Sequence, residues 1–307
     1  MFIVSSGKSF TDIDGFACAI AYAELLRLEN KEAVAVLVGV LNHSVTKLTL
    51  EQSRDYLTEY KPTDEDHFIY VDLSGPEQFA FPNENKIVEI YDHHYGMENY
   101  WQERLGVNSH IERVGAAATL IWEEFKKRGL AEKISAGSAN LLAIAILQNT
   151  LNFSSTETNE RDLLAFKELG SHTTLPNNWQ KLYFEEISNE LEKNFSETLA
   201  NDTKTFENFF DDEKTFVFSQ LEIAENQIKF LEHHKKEIDT YWTNFPNKIC
   251  LINIPDINSK TSLFYSDNPA WLHEKIQSLF SEVLETSAEW LLVPIHQRKQ
   301  ILKMLNT

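Results

Sequence analysis

The 307-residue sequence predicts an α/β protein: a mostly parallel sheet covered by helices, followed by a smaller α/β unit. Three observations carry that expectation. Short, nearly continuous apolar runs such as Phe2-Ile3-Val4, Phe68-Ile69-Tyr70-Val71 and Ile87-Val88-Glu89-Ile90-Tyr91 read as strands buried on both faces. They alternate with segments of helical periodicity, the pattern of a parallel sheet with crossover helices. Each run also ends in carboxylates or imidazoles: Asp12 and Asp14 after the first, Asp72 after the second, Asp92-His93-His94 after the third. Strand ends of parallel sheets are where such folds place their chemistry.

In chain order, residues 1–5 read as a strand and 15–28 as a helix, with Ala17, Ile20, Ala21, Leu25 and Leu28 on one face. Strands are expected at 33–40, 67–73 and 86–91, and helices at 115–127, 135–147 and 159–169. Residues 179–199 read as a charged amphipathic helix suited to a connector. A second α/β unit follows: a strand at 214–221, a long polar helix at 223–241, strands at 248–254 and 261–265 around a turn at Asn258, a helix at 271–284 and a last strand at 290–294. The boundary is expected within 180–200, giving units 1–190 and 191–307.

Composition narrows the function. A hydrophobic fraction of 42% supports a proper core. No apolar run approaches the roughly 18 residues of a membrane span. The chain enters a strand at once, so no secretory signal is expected. The two cysteines, Cys18 and Cys250, form no disulfide framework, which favours a reducing cytoplasm. A net charge of −19 repels long polyanions and argues against extended nucleic-acid binding. A small phosphate substrate stays compatible with it, because a bound divalent cation inverts the field locally.

Taken singly, the polar strand ends have ordinary readings. Asp12 or Asp14 can cap a helix, Asp72 can sit in a turn, and Asp92-His93-His94 can lie on a surface loop. Taken together they describe a metal site. Gly115-Ala116-Ala117-Ala118-Thr119 can open a helix whose N–H groups face an anion, or can simply allow close packing. His233-His234, within Leu231-Glu232-His233-His234-Lys235-Lys236, reads as a solvated helix face. His67 and His110 read as structural or surface residues, and Cys18 as core.

On these residues the chain resembles the DHH phosphoesterases, named for the triplet found here at Asp92-His93-His94. Gly115-Ala116-Ala117-Ala118-Thr119-Leu120-Ile121 and the segment Ala145 to Phe153, with Asp162 beyond, extend the likeness. Ser219-Gln220-Leu221-Glu222, Pro255-Asp256-Ile257-Asn258 and Gln297-Arg298-Lys299-Gln300 are similar to segments of the second, DHHA2-like domain of manganese-dependent inorganic pyrophosphatases and exopolyphosphatases. The branch acting on short oligonucleotides ends in a glycine-rich motif that this chain, with 10 glycines, lacks.

The resemblance implies metal hydrolysis, with divalent ions activating a water for in-line attack on phosphorus. It places one ion on Asp14, Asp72 and His93, with Asp72 bridging toward Asp12 and His94 facing the substrate. Arg298, Lys299 and Lys260, with Gly115, would bind substrate phosphate in a cleft between the domains. The resemblance also implies a homodimer through an edge strand of the first domain.

The pattern departs from the pyrophosphatases at four positions. Lys8 stands for a histidine ligand, Asn149 for an aspartate ligand, Ser154 for a phosphate-binding lysine and Gln297 for an arginine. The expectation drawn here is that Lys8 turns inward beside Asp12 and serves the site. A single Mn²⁺ or Mg²⁺, rather than two, then rests on Asp14, Asp72, His93 and the Asn149 amide oxygen. The opposing reading has Lys8 in solvent. The function expected is a metal-dependent hydrolase of pyrophosphate or short polyphosphate. The alternatives are a catalytically silent phosphate- or nucleotide-binding protein and a small-nucleotide phosphodiesterase.

Overall fold

Strand β1 (Phe2–Ser5) pairs in parallel with β2 (Ala33–Val36) on one side and β3 (His67–Val71) on the other. Parallel pairing continues to β4 (Ile87–Asp92) and the short edge strand β5 (Ser109–Ile111), for the order β2-β1-β3-β4-β5. The expected strand at 33–40 stops at Val36, and β5, three residues long, carries too little pattern to be read from sequence. The computed structural model describes residues 1–206 and 215–305. The chain divides into two compact units, Met1–Glu186 and Ile187–Thr307.

In the first unit, helices α1 (Ile13–Leu28), α2 (Ala117–Lys127), α3 (Ala136–Asn149) and α4 (Glu160–Leu169) accompany the sheet. The single apolar face expected for α1 is a narrower picture than the one found. Phe16, Ala19, Tyr22, Ala23 and Leu26 are buried as fully as Ala17, Ala21 and Leu25, because α1 packs on β1 and β2 and also against α2 and α3. A helix covered on all sides needs apolar residues all round. Gly15 permits the closest approach: a Cβ there would lie 2.4 Å from the Ser6 hydroxyl oxygen, so the helix start sits directly over the end of β1.

The other face of the sheet carries a cluster of Ile3, Val36, Phe68, Tyr70, Phe79, Phe81, Ile90 and Trp101. Tyr70 and Phe79 stack with ring centroids 3.8 Å apart, and the Tyr70 hydroxyl closes on the Phe81 backbone. Each such fully buried side chain contributes about 1.5–3 kcal/mol. This packing holds the strand ends, and so the residues that follow them, in fixed positions.

The expected helix at 179–199 is two helices, α5 (Trp179–Lys193) and α6 (Phe195–Asn201), broken at Asn194. Beyond them a six-stranded sheet is built from β6 (Thr203–Phe206), β7 (Phe216–Gln220), β8 (Ile249–Asp256), β9 (Thr261–Ser266), β10 (Glu285–Thr286) and β11 (Trp290–Pro294). Its order is β10-β11-β9-β8-β7-β6, with only β7 and β8 parallel. Lys214, where a strand was expected to begin, lies outside the described residues. Helix α7 (Gln227–Trp242) starts later than expected, at an Asn226 cap whose side chain accepts the Lys229 N–H. The expected helix at 271–284 is shorter and irregular, ending at Leu279. Helix α8 (Arg298–Leu305) follows β11. Among the described residues no helix is long and apolar enough to cross a membrane.

Candidate metal centre

Asp72 is the first residue past β3 and adopts a left-handed conformation, φ 59°. Aspartate tolerates that region better than most residues. The kink ends the strand while the Asp72 N–H still bonds to the Tyr91 carbonyl at 2.8 Å, so its carboxylate sits beside the end of β4. There His93 Nε2 lies 3.3 Å from Asp72 Oδ1 and 3.9 Å from Asp14 Oδ2. Donor atoms of Asp72, His93 and His94 all fall within 4.8 Å of one another.

Two contacts orient the imidazoles. His93 Nδ1 is 3.1 Å from the Val114 carbonyl, which can only accept, so Nδ1 carries the hydrogen and Nε2 faces the carboxylates. Asp92 Oδ1 accepts the N–H groups of His93 and His94 at 2.7 and 3.1 Å and meets His94 Nδ1 at 2.8 Å. Burial would raise the Asp92 carboxyl, but His94 beside it and hydrogen bonds from His94 and Ser74 hold it below the ordinary carboxylate range. Asp92 thus aims the His94 ring and fixes the backbone of both histidines, while the Val114 carbonyl aims the His93 ring. The triplet displays it, but its positioning role follows only from these contacts. The His94 ring is half-exposed.

Asp14 is fully buried at the start of α1. Its Oδ2 accepts the Ala117 N–H at 2.7 Å and its Oδ1 the Ala118 N–H at 2.9 Å. The Cys18 thiol lies 3.4 Å from Oδ1. Asp12 caps α1 through the N–H groups of Asp14 and Gly15, each at 3.1 Å, which realises the cap reading without excluding the other. Burial first, and the charge of Asp12 second, push Asp14 up to about 7, against the opposing pull of the α2 N–H groups. Burial, followed by Asp12, Asp14 and Asp92, raises Asp72 well above its ordinary value.

These residues fit a divalent cation. Asp72 Oδ1 is buried and has no hydrogen-bond partner. Asp12, Asp14 and Asp92 repel it with their charges, and His93 Nε2 lies 3.3 Å away. Oxygen-rich donors with one imidazole suit Mn²⁺ or Mg²⁺.

Other expected site residues fare differently. Lys8 is exposed, and its side chain makes no hydrogen bond or ion pair with Asp12 or any other described residue. Its backbone N–H is bonded to Gln78 O, and the loop turns the side chain outward. The inward lysine is corrected accordingly. Gly115 does not offer its N–H to an anion either: that group is bonded to Asp162 Oδ2 at 2.9 Å. Asp162 also accepts from Thr119 Oγ1 at 2.7 Å and from the Asn159 N–H at 2.9 Å, tying the segment to α4. With Ala117 and Ala118 committed to Asp14 and Thr119 N–H to the Ala116 carbonyl, the start of α2 serves packing and carboxylate anchoring. Asn149 is the last residue of α3 and half-buried.

In the second unit Arg298 directs Nη1 at the carbonyls of Asp202 and Phe218, with its own N–H on Gln220 Oε1. Burial lowers the guanidinium below its ordinary value. One face of this arginine therefore holds the β-sheet together. Lys299 follows it, half-buried, and Lys260 is exposed in a left-handed turn, φ 57°. His234, expected on a solvated face, is only 2% exposed, because its ring stacks on Phe195 at 3.9 Å between centroids.

Residues 3–146 match the family model described as the DHH family, N-terminal domain. The manganese-dependent inorganic pyrophosphatase of Bacillus subtilis is 26% identical over 317 aligned residues, 99% of this chain and 97% of that protein. The probable manganese-dependent inorganic pyrophosphatase of Exiguobacterium sp. is 32% identical over 167 residues, 53% of this chain and 52% of the relative. Among solved structures, a Methanococcus jannaschii chain assigned to the family II inorganic pyrophosphatases superposes with a TM-score of 0.69 at 20% identity, covering 100% of both chains. An exopolyphosphatase-related protein from Bacteroides fragilis reaches a TM-score of 0.53 at 12% identity, covering 99% of this chain and 89% of that one. At those identities the likeness speaks for the fold. The chain therefore carries a DHH family N-terminal domain and is homologous over nearly its whole length to manganese-dependent inorganic pyrophosphatases.

Proposed function

We propose that this chain is a metal-dependent hydrolase of small phosphoric anhydrides, with pyrophosphate as its first substrate and short polyphosphate as its second. The observation that carries the reading is the approach of Asp14, Asp72 and His93 around a buried carboxylate oxygen that has no hydrogen-bond partner. Homology along nearly the whole chain to manganese-dependent inorganic pyrophosphatases supports it.

Asp12, Asp14, Asp72 and His93, with Asn149, would hold Mn²⁺ or Mg²⁺. When bound, such an ion polarises a phosphoryl group and acidifies water. The protein's own contribution is orientation. The Val114 carbonyl holds His93 with Nε2 toward the carboxylates, and Asp92 holds His94 through Nδ1 while its ring stays half-exposed, free to donate to a phosphate oxygen. One ion is the count we favour, because both Asp14 oxygens already accept N–H bonds from α2. A cytoplasmic location belongs to the same proposal and accords with two free, buried cysteines.

The test is phosphate release from pyrophosphate, polyphosphate and a panel of dinucleotides, with Mn²⁺, Mg²⁺ and Co²⁺ in turn. Manganese-dependent release from pyrophosphate, lost in Asp72→Asn, is expected. Substrate binding without release from any compound would make the chain a silent binding protein. Release from dinucleotides alone would make it a phosphodiesterase.

A further inference from the structure

A second cluster of metal-ligating side chains lies in the C-terminal unit, built from Glu192 on α5 and His233 and His234 on α7. One donor atom from each falls within 4.8 Å of the others. Glu192 and His233 are exposed, whereas His234 is buried. The His234 ring cannot turn freely: it stacks on Phe195, with planes 10° apart, and packs against Phe230 at 4.6 Å.

The hydrogen bonding of His234 is incomplete. Its Nε2 lies 3.0 Å from Glu192 Oε1, and its Nδ1 lies 3.6 Å from Glu237 Oε1. That Nδ1 is buried and has no hydrogen-bond partner. Both facing groups are carboxylates that can only accept. A neutral imidazole has a single N–H, so one of its two nitrogens presents a lone pair to an anion. An imidazole nitrogen and a carboxylate oxygen 3.0 Å apart are also spaced as neighbours on a cation held at about 2.0–2.1 Å from each. In that arrangement Nε2 ligates, and Nδ1 carries the hydrogen, facing Glu237 Oε1 at 3.6 Å, beyond direct hydrogen-bond reach.

We propose that Glu192, His233 and His234 form a binding site for a borderline divalent cation of the Zn²⁺ class, with the stack on Phe195 orienting His234. Two imidazoles and one carboxylate select such an ion over Mn²⁺ or Mg²⁺, which the oxygen-rich cluster at Asp72 prefers. The three ligands leave a position open for water. The ion would staple α5 to α7, beside the Phe195 stack, and stabilise the C-terminal unit.

The experiment uses the full chain stripped by chelator, reloaded with zinc or cobalt and desalted. Metal is counted by mass spectrometry, and cobalt is followed through its visible absorption. Glu192→Gln and His233→Ala change exposed side chains and are expected to fold. After desalting, the wild type should hold one zinc more than either variant. Zinc should raise the melting temperature of the wild type and not of the double variant. An Asp72→Asn variant, impaired at the first centre, should keep the cobalt absorption. Equal zinc content in wild type and in the Glu192→Gln, His233→Ala double variant overturns the proposal. So does a cobalt spectrum that vanishes with Asp72→Asn alone. Neither outcome bears on phosphate release, so this site and the hydrolase reading fail independently.

Discussion

Asp14 caps the helix that begins at Ala117: the carboxylate of one residue takes the backbone N–H of the other at 2.7 Å, and its second oxygen takes that of Ala118. The group proposed as a cation ligand is also the N-terminal anchor of α2. Asp14→Asn keeps one acceptor and removes a buried charge; Asp14→Ala strands both N–H groups. In metal-free protein Asp14→Ala should be less stable than Asp14→Asn by about 1–2 kcal/mol, measured by urea unfolding. Both should lose the manganese-induced rise in melting temperature. Retention of that rise in Asp14→Asn would remove Asp14 from the ligand set.

Asp14 also makes the metal-free protein sensitive to pH. Its carboxyl stands at about 7 in the folded chain against an ordinary 3.8. Between those values the folded state holds a proton that the unfolded state has released, so stability falls as pH rises through the interval and levels off above it. Manganese must displace that proton. The stabilisation it confers should therefore grow from about pH 5 to about pH 8, as read from calorimetric melts with and without the ion. A manganese effect that is flat across this range would contradict the assignment.

His93 should carry its hydrogen on Nδ1, held by the Val114 carbonyl, whether or not a cation is bound. Nitrogen-15 spectra of labelled imidazoles test this directly. Adding a diamagnetic divalent ion should move the Nε2 resonance and leave the Nδ1–H in place. Movement of the Nδ1 signal instead would mean that the ring ligates through the wrong nitrogen for this geometry.

Gly115→Ala should destabilise the first unit. A Cβ there would meet Thr150 Cγ2 at 2.7 Å and Asp162 Oδ2 at 2.9 Å, in a place where Asp162 is already bonded to three partners. A loss of about 1–3 kcal/mol is expected from overpacking. An unchanged melting temperature would show that the α2–α4 contact is looser than these distances imply.

Lys8→Ala should leave manganese affinity and phosphate release within about twofold of the wild type, as exposed substitutions away from a site usually do. Isothermal titration settles the first and a release assay the second. A large loss in either would restore the inward lysine.

Much of this protein was legible in its residues alone. Uninterrupted apolar runs are local signals, and the parallel sheet of the first unit followed from them. So did the arrival of Asp72 and His93 at strand ends, because a strand's last residue delivers whatever comes next to the sheet's edge. Other features depended on residues distant in the chain. Asp14 and Ala117 are 103 positions apart, and no local pattern could say that α2 spends its first N–H groups on that carboxylate. The same holds for Gly115, whose N–H goes to Asp162, and for His234, whose sequence neighbours are charged but whose ring lies on Phe195. Periodicity reports which face of an element is apolar. Which polar groups find each other across the fold is set by packing between elements, and that appears only once the chain is folded.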